Sequence, residues 1–324
     1  MYLNNKKYLI FPNGKKFAFT IFDDTDAATL ENIRPIYNLL KELKIFTTKS
    51  VWVFHSQKES DNKIFPAHTL ANPDYLTFIR ELSESGFEIA LHGVSSDSNP
   101  REKTILGIEQ FKNLLGFYPT SYAGHLNNFE NLYGGTDKLS SSMLRFLMKI
   151  YEKQKNFHFQ GHIKNSPYFW GDICKKYIRY VRSFTFNEIN ILKINPTLPY
   201  YDPSKPFVNF WFSSADGSNV EKFNKLLSQH NQEQLEKEGG VCIVYTHFAF
   251  GFVKNSKVNP KTKKLLEELS RRNGYFVPVT KLLDHLRNQK NNLTISPYEL
   301  KKMEWRWFFE KINEKIFRRI LKWN

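Results

Sequence analysis

Phe17-Ala-Phe-Thr-Ile-Phe22 runs directly into Asp23-Asp24, and that junction decides how the chain is read. Six consecutive apolar or β-favouring residues describe a buried strand of the kind found in parallel sheets. Two adjacent carboxylates then stand where the strand leaves the core, which is where α/β and barrel folds place their chemistry. Neighbouring side chains at a strand end point in different directions, so one Asp can bind a metal while the other handles a proton. Asp-Asp is also common in solvated turns and alone would say little. Two further strands shift the balance, because Phe87-Glu-Ile-Ala-Leu91 ends in His92-Gly93 and Val241-Cys-Ile-Val-Tyr-Thr246 ends in His247. Carboxylate and imidazole together suit zinc or a comparable divalent ion, and imidazole also moves protons near neutral pH. The residues read as a metal-assisted hydrolase.

Strand-like and helix-like segments alternate along the chain. Strands are expected at Ser50–Phe54, Thr120–Ala123, Tyr180–Phe186, Phe207–Phe212 and Tyr275–Val277, besides the three above. Helices are expected over 27–43, from Pro73 to Gly86, from Asn99-Pro100, over 138–155, from Val220 to Gly239, over 260–272 and over 279–286. The alternation argues for a parallel sheet, and the count and length favour one barrel over two domains. Residues 1–290 form that unit, and 291–324 a linker and C-terminal helix.

The bulk properties narrow the partners. The chain has 324 residues, 41% hydrophobic and 16% aromatic, ample for a core, and carries a formal charge of +15. Its lysines are scattered and no nucleic-acid module is present, so the charge points away from nucleic acid and toward a phosphate-bearing substrate or an anionic lipid. Cys174 and Cys242 have no ligand spacing and imply no disulfide framework. No run is long enough for a signal peptide or a membrane span, so a cytoplasmic location is expected. Residues 301–324 hold eight Lys/Arg and three Glu, with Trp305, Phe309, Ile312, Ile316 and Ile320 at helical spacing and Trp307 and Trp323 nearby. Such a helix either docks on its own barrel, which is favoured, or lies on an anionic membrane surface.

Thr20-Ile-Phe-Asp23-Asp24, His92 and Tyr245-Thr-His247 together resemble the polysaccharide deacetylase (NodB-homology) family over roughly residues 17–285. The resemblance implies a distorted (β/α) TIM-like barrel that removes N- or O-acetyl groups from sugars with a bound divalent metal, zinc being expected. By position it implies Asp23 as general base, Asp24 and His92 as metal ligands and His247 as general acid. The family's second metal-binding His would fall at position 96, which is Ser, and its Arg-Pro motif is missing. The corresponding stretch, Pro119-Thr-Ser-Tyr-Ala-Gly124-His125, offers His125 as replacement ligand, preferred over Asp97. Tyr122, Asn127, Asn128 and Asp216 are candidate substrate contacts. The expected substrate is a glycan or phosphate-linked sugar precursor of surface polysaccharide. Two alternatives remain open: a carbohydrate-binding barrel that has lost its metal site, and an aspartyl-nucleophile phosphatase built on Asp24-Thr-Asp26.

Overall fold

The computed structural model of the protein describes residues 9–57, 67–126, 128–152 and 158–320. Seven parallel strands follow one another in chain order around a closed barrel: β1 (Phe17–Asp23), β2 (Thr48–Val51), β3 (Glu88–Leu91), β4 (Ser121–Tyr122), β5 (Tyr180–Phe186), β6 (Phe210–Asp216) and β7 (Val241–Thr246). β7 closes the ring by pairing with β1 along its whole length, Ala18 opposite Val241 through Asp23 opposite Thr246. The barrel is distorted because β2 meets only Phe22 and Asp23 of β1. The side of β1 left open there is taken by β10 (Gly274–Phe276), opposite Phe17–Phe19. β8 (Val253–Lys254) and β9 (Lys257–Val258) form a small hairpin of their own. This is the α/β TIM-like barrel expected from the sequence.

Ten helices surround the strands among the described residues: α1 (Leu30–Glu42), α2 (Pro73–Glu84), α3 (Arg101–Leu115), α4 (Ser142–Glu152), α5 (Gly171–Tyr177), α6 (Val220–Leu226), α7 (Gln229–Glu238), α8 (Pro260–Ser270), α9 (Val279–Asn288) and α10 (Pro297–Ile320). The single helix expected from Val220 is two. The Ser228 hydroxyl accepts the Asn231 amide and starts α7 as an N-cap. β6 runs later than expected, so Asp216 is its last residue and not part of a following turn. Phe17, Ala18, Phe19, Ile21 and Phe22 of β1 and Val241, Cys242, Ile243 and Val244 of β7 are all fully buried, the pattern of strands covered on both faces.

The terminal helix belongs to the barrel, the favoured of its two expected fates. Met303, Glu304, Trp307 and Phe308 of α10 are buried, and Trp307 packs on Phe184 of β5 with ring centroids 5.7 Å apart. Glu304 accepts hydrogen bonds from the backbone amides of Ser140 and Ser141, placing a carboxylate at the N-terminus of α4. No helix among the described residues is long and apolar enough to cross a membrane.

Candidate active site

The carboxylates leave β1 through a tight turn. The Asp24 amide still pairs with the Thr246 carbonyl at 2.8 Å, and the Ala28 amide then closes the turn on Thr25 at 3.0 Å. Ala27 pays for the reversal with φ +55°, a left-handed conformation that costs a non-glycine residue about 1–2 kcal/mol. Two residues apart, Asp24 and Asp26 both reach the rim at the C-terminal end of the barrel.

Strand alternation sends Asp23 the other way. Its carboxylate lies behind β1 under α1, fully buried, 2.8 Å from Lys49 Nζ. The Tyr37 hydroxyl donates to it at 3.0 Å and the Phe248 amide at 2.8 Å. Burial pushes the Asp23 carboxyl above its usual range against the pull of Lys49, whose ammonium Asp23 in turn holds charged despite its own burial. Asp23 is not on the wall of the rim cavity. The general-base role expected of it does not fit that position, because a carboxylate packed against the helix layer has no path to a substrate.

Three histidines meet at Asp26, which sequence reasoning had not counted among the ligands. His92 Nε2 lies 3.0 Å from Asp26 Oδ2, His125 Nε2 2.9 Å from Oδ1 and His247 Nε2 3.4 Å from Oδ2. They follow β3, β4 and β7, so parallel strands with a common direction bring them together. Asp24 is engaged differently: Arg182, from β5, grips it with both arms at 2.7 and 2.6 Å. The guanidinium lies 4.3 Å above the Tyr245 ring. Arg182 is a charged residue inside a strand, which is the signal that could have marked it; the same holds for Lys49 in β2.

The imidazole tautomers are set from behind. Asn128 donates its amide nitrogen to the carbonyls of Asp97 (2.7 Å) and Ser95 (3.3 Å), which leaves its oxygen facing His125 Nδ1 at 3.2 Å. His247 Nδ1 donates to the Ser218 carbonyl at 2.9 Å. Both rings therefore carry hydrogen on Nδ1, and in the neutral form each presents the lone pair of Nε2 to Asp26. Lone pairs facing a carboxylate repel unless a cation lies among them, either a proton on each ring or a metal ion. Burial lowers the pKa of His125 and His247, but Asp26 outweighs it and raises both. Burial likewise opposes ionisation of Asp26, and the three histidines hold it well below the ordinary carboxylate range. Among the described residues, the buried Nδ1 of His92 has no hydrogen-bond partner. Donor atoms of Asp24, Asp26 and His247 all lie within 4.8 Å of one another. Two carboxylates and an imidazole so grouped, with the His92 and His125 imidazoles also on Asp26, fit a divalent metal ion.

The rim opens into a cavity of about 810 Å³. Trp52, Tyr122, Phe129, Trp211, Tyr245 and Phe250 supply its aromatic wall, Lys138 adds a cation, and Arg182 is on the wall paired with Asp24. Tyr122 and Asn128, the candidate substrate contacts, are on that wall, and Asn128 spends its amide on positioning His125. Ser96 is also on the wall. Asp97 turns back to the Ser56 hydroxyl and the Gln57 amide, both at 2.7 Å. Asp216 is off the cavity, paired with Lys222 at 2.6 Å, because the end of β6 faces α6 there. Asn127 lies outside the described residues.

No protein-family model matches the chain, and no curated protein matches it. Solved structures are similar at low identity. Puue allantoinase shares 11% identity over 88% of this chain and 95% of its own, with a TM-score of 0.47. A probable polysaccharide deacetylase from Pseudomonas aeruginosa PAO1 shares 12% identity over 88% and 96%, with a TM-score of 0.46. A family 4 acetyl xylan esterase from Clostridium thermocellum, in complex with a cobalt ion, shares 11% over 86% and 98%, with a TM-score of 0.40.

Proposed function

We propose that the protein is a metal-dependent hydrolase that removes an acetyl or other small acyl group from a sugar. The observation that carries this reading is the convergence of three imidazole Nε2 atoms on Asp26, beside an arginine-held Asp24, at the floor of an aromatic cavity. It favours a deacylase over a phosphatase with Asp24 as nucleophile, which has no use for three histidines. It also favours an enzyme over a lectin-like barrel without its metal site, since Ser96 is replaced by donors from other positions.

Asp26, His92 and His125 would hold the ion, zinc or a similar divalent metal, with Asp24 and His247 at its edge. Once bound, the ion would polarise the acyl carbonyl and make water more acidic. Arg182 outweighs the burial of Asp24 and keeps that carboxyl below its ordinary range, so it is ionised at neutral pH and would accept a proton from water through a lone pair that Arg182 leaves open. His247, its Nδ1 anchored on Ser218 and its basicity raised by Asp26, would give a proton from Nε2 to the departing amine or alkoxide. Base and acid thus come from two groups whose surroundings drive their pKa values apart.

The cavity volume admits a sugar with its acyl substituent, and its aromatic faces suit the C–H surfaces of a pyranose. Lys138 on the cavity wall and the overall charge of +15 favour a phosphate-linked precursor, as a role in surface-glycan synthesis would require. The test is release of acetate from a panel of N- and O-acetylated sugars, free and nucleotide-linked, by protein with and without added zinc. Zinc-dependent release from a member of the panel supports the reading; undiminished release after chelation removes it.

A further inference from the structure

α4 is apolar on both of its faces. Leu144 and Met148 are buried against the barrel, while Met143, Phe146 and Ile150, at helical spacing on the opposite side, are 54%, 63% and 61% exposed. The neighbouring α10 shows the same outward bias. Tyr298 is 76% and Phe309 54% exposed, and Trp305 stacks on Phe309 at 5.6 Å.

Charge on α10 is sorted by side. Its acids face protein: Glu304 caps α4, Glu310 accepts the Asn187 amide, Glu314 meets Lys222, and Glu299 binds Ser296. Lys301 and Lys302 are exposed, as is Lys149 on α4, and Arg306 is exposed but paired with Glu310. Exposed aromatic and aliphatic side chains set among cations, with the acids turned inward, complement an anionic bilayer surface, where the apolar groups enter the headgroup boundary and the cations meet lipid phosphates. A protein partner would more often leave acids and cations mixed around such a patch.

We propose that α4 and the outer side of α10 form a docking face for anionic membrane lipid. Gly134, Gly135 and Lys138 line the cavity just before α4 begins, so docking would bring the cavity mouth close to the lipid surface. Because the readout is binding, the proposal stands or falls separately from the hydrolase reading.

The test is flotation of the full-length protein with vesicles of phosphatidylcholine alone and of phosphatidylcholine with phosphatidylserine, at low and high salt. The protein should float with the phosphatidylserine vesicles, stay behind with phosphatidylcholine, and be released by salt. Phe146→Ser combined with Ile150→Ser should cut the bound fraction by about tenfold or more, with an unchanged circular dichroism spectrum because both side chains are exposed. Lys301→Gln with Lys302→Gln should weaken binding and flatten its salt dependence. No flotation with either vesicle overturns the proposal, as does binding indifferent to the serine variant. So does a lipid-free dimer that the serine variant dissociates, since the face would then belong to a second copy of the chain.

Discussion

Asp26 Oδ1 and His125 Nε2 stand 2.9 Å apart, joining the turn after β1 to the loop after β4. With His125 Nδ1 occupied by Asn128, that contact needs a cation, and a proton and a metal ion compete for the same nitrogen.

The competition sets a pH dependence with a definite sign. His125 and His247 have folded pKa values raised above 6.5, so in metal-free protein they contribute stability that is present below 6.5 and lost as pH rises through their folded values. Asp26, lowered, contributes stability that is present above 3.8 and lost as pH falls through its folded value. Metal-free protein should therefore melt lower at about pH 9 than at about pH 6, while metal affinity rises over the same interval. Calorimetry with and without zinc checks both halves. A metal affinity that falls with rising pH would contradict the tautomer assignment.

Asp23 and Lys49 should behave as a structural pair. Removing one partner of a fully buried ion pair costs about 3–5 kcal/mol, so Asp23→Asn and Lys49→Met should each lower the melting temperature strongly. The double variant should recover part of the loss. If Asp23→Asn kept full stability and lost only turnover, Asp23 would be the base after all.

Asp24→Asn should keep its metal and lose on the order of 10²–10⁴ in turnover, the usual worth of a general base. Replacing Arg182 with Met should raise the Asp24 pKa and move the acidic limb of the pH–rate profile upward. An unmoved acidic limb would assign the base elsewhere.

The barrel was largely legible in the sequence, and the site only in part. Continuous apolar runs marked β1 and β7, and their ends pointed to the rim that carries Asp24 and His247. Asp23 was misplaced because alternation along β1 continues through its last residue, which a reading of the Asp-Asp pair as one functional unit ignores. Asp26 lies outside the strand, in the turn that Ala28 closes on Thr25 and in which Ala27 takes a left-handed φ. Arg182 and Lys49 reach their carboxylates across strands distant in sequence, so no local pattern connects them. The β8–β9 hairpin escaped notice because its strands have two residues each. Its signal was Asn255-Ser256, both with positive φ, as in a type I′ turn.

Deleting residues 297–324 should destabilise the barrel as well as remove the tail, since Met303, Trp307 and Phe308 leave the core with it. Trp307→Ala alone should cost about 3–5 kcal/mol. A truncated protein with an unchanged melting temperature would show that α10 is an appendage.

On the proposed reading, the metal centre is built on Asp26 and completed by His125 in place of the histidine missing at position 96. Zinc titration of the purified protein by calorimetry, with metal analysis after dialysis, tests it most directly. One ion should bind tightly to the wild type, to Ser96→Ala and to Asp24→Asn. Affinity should collapse in Asp26→Asn and in His125→Ala. Unchanged binding in either of those two variants, or loss confined to Asp24→Asn, would contradict the assignment.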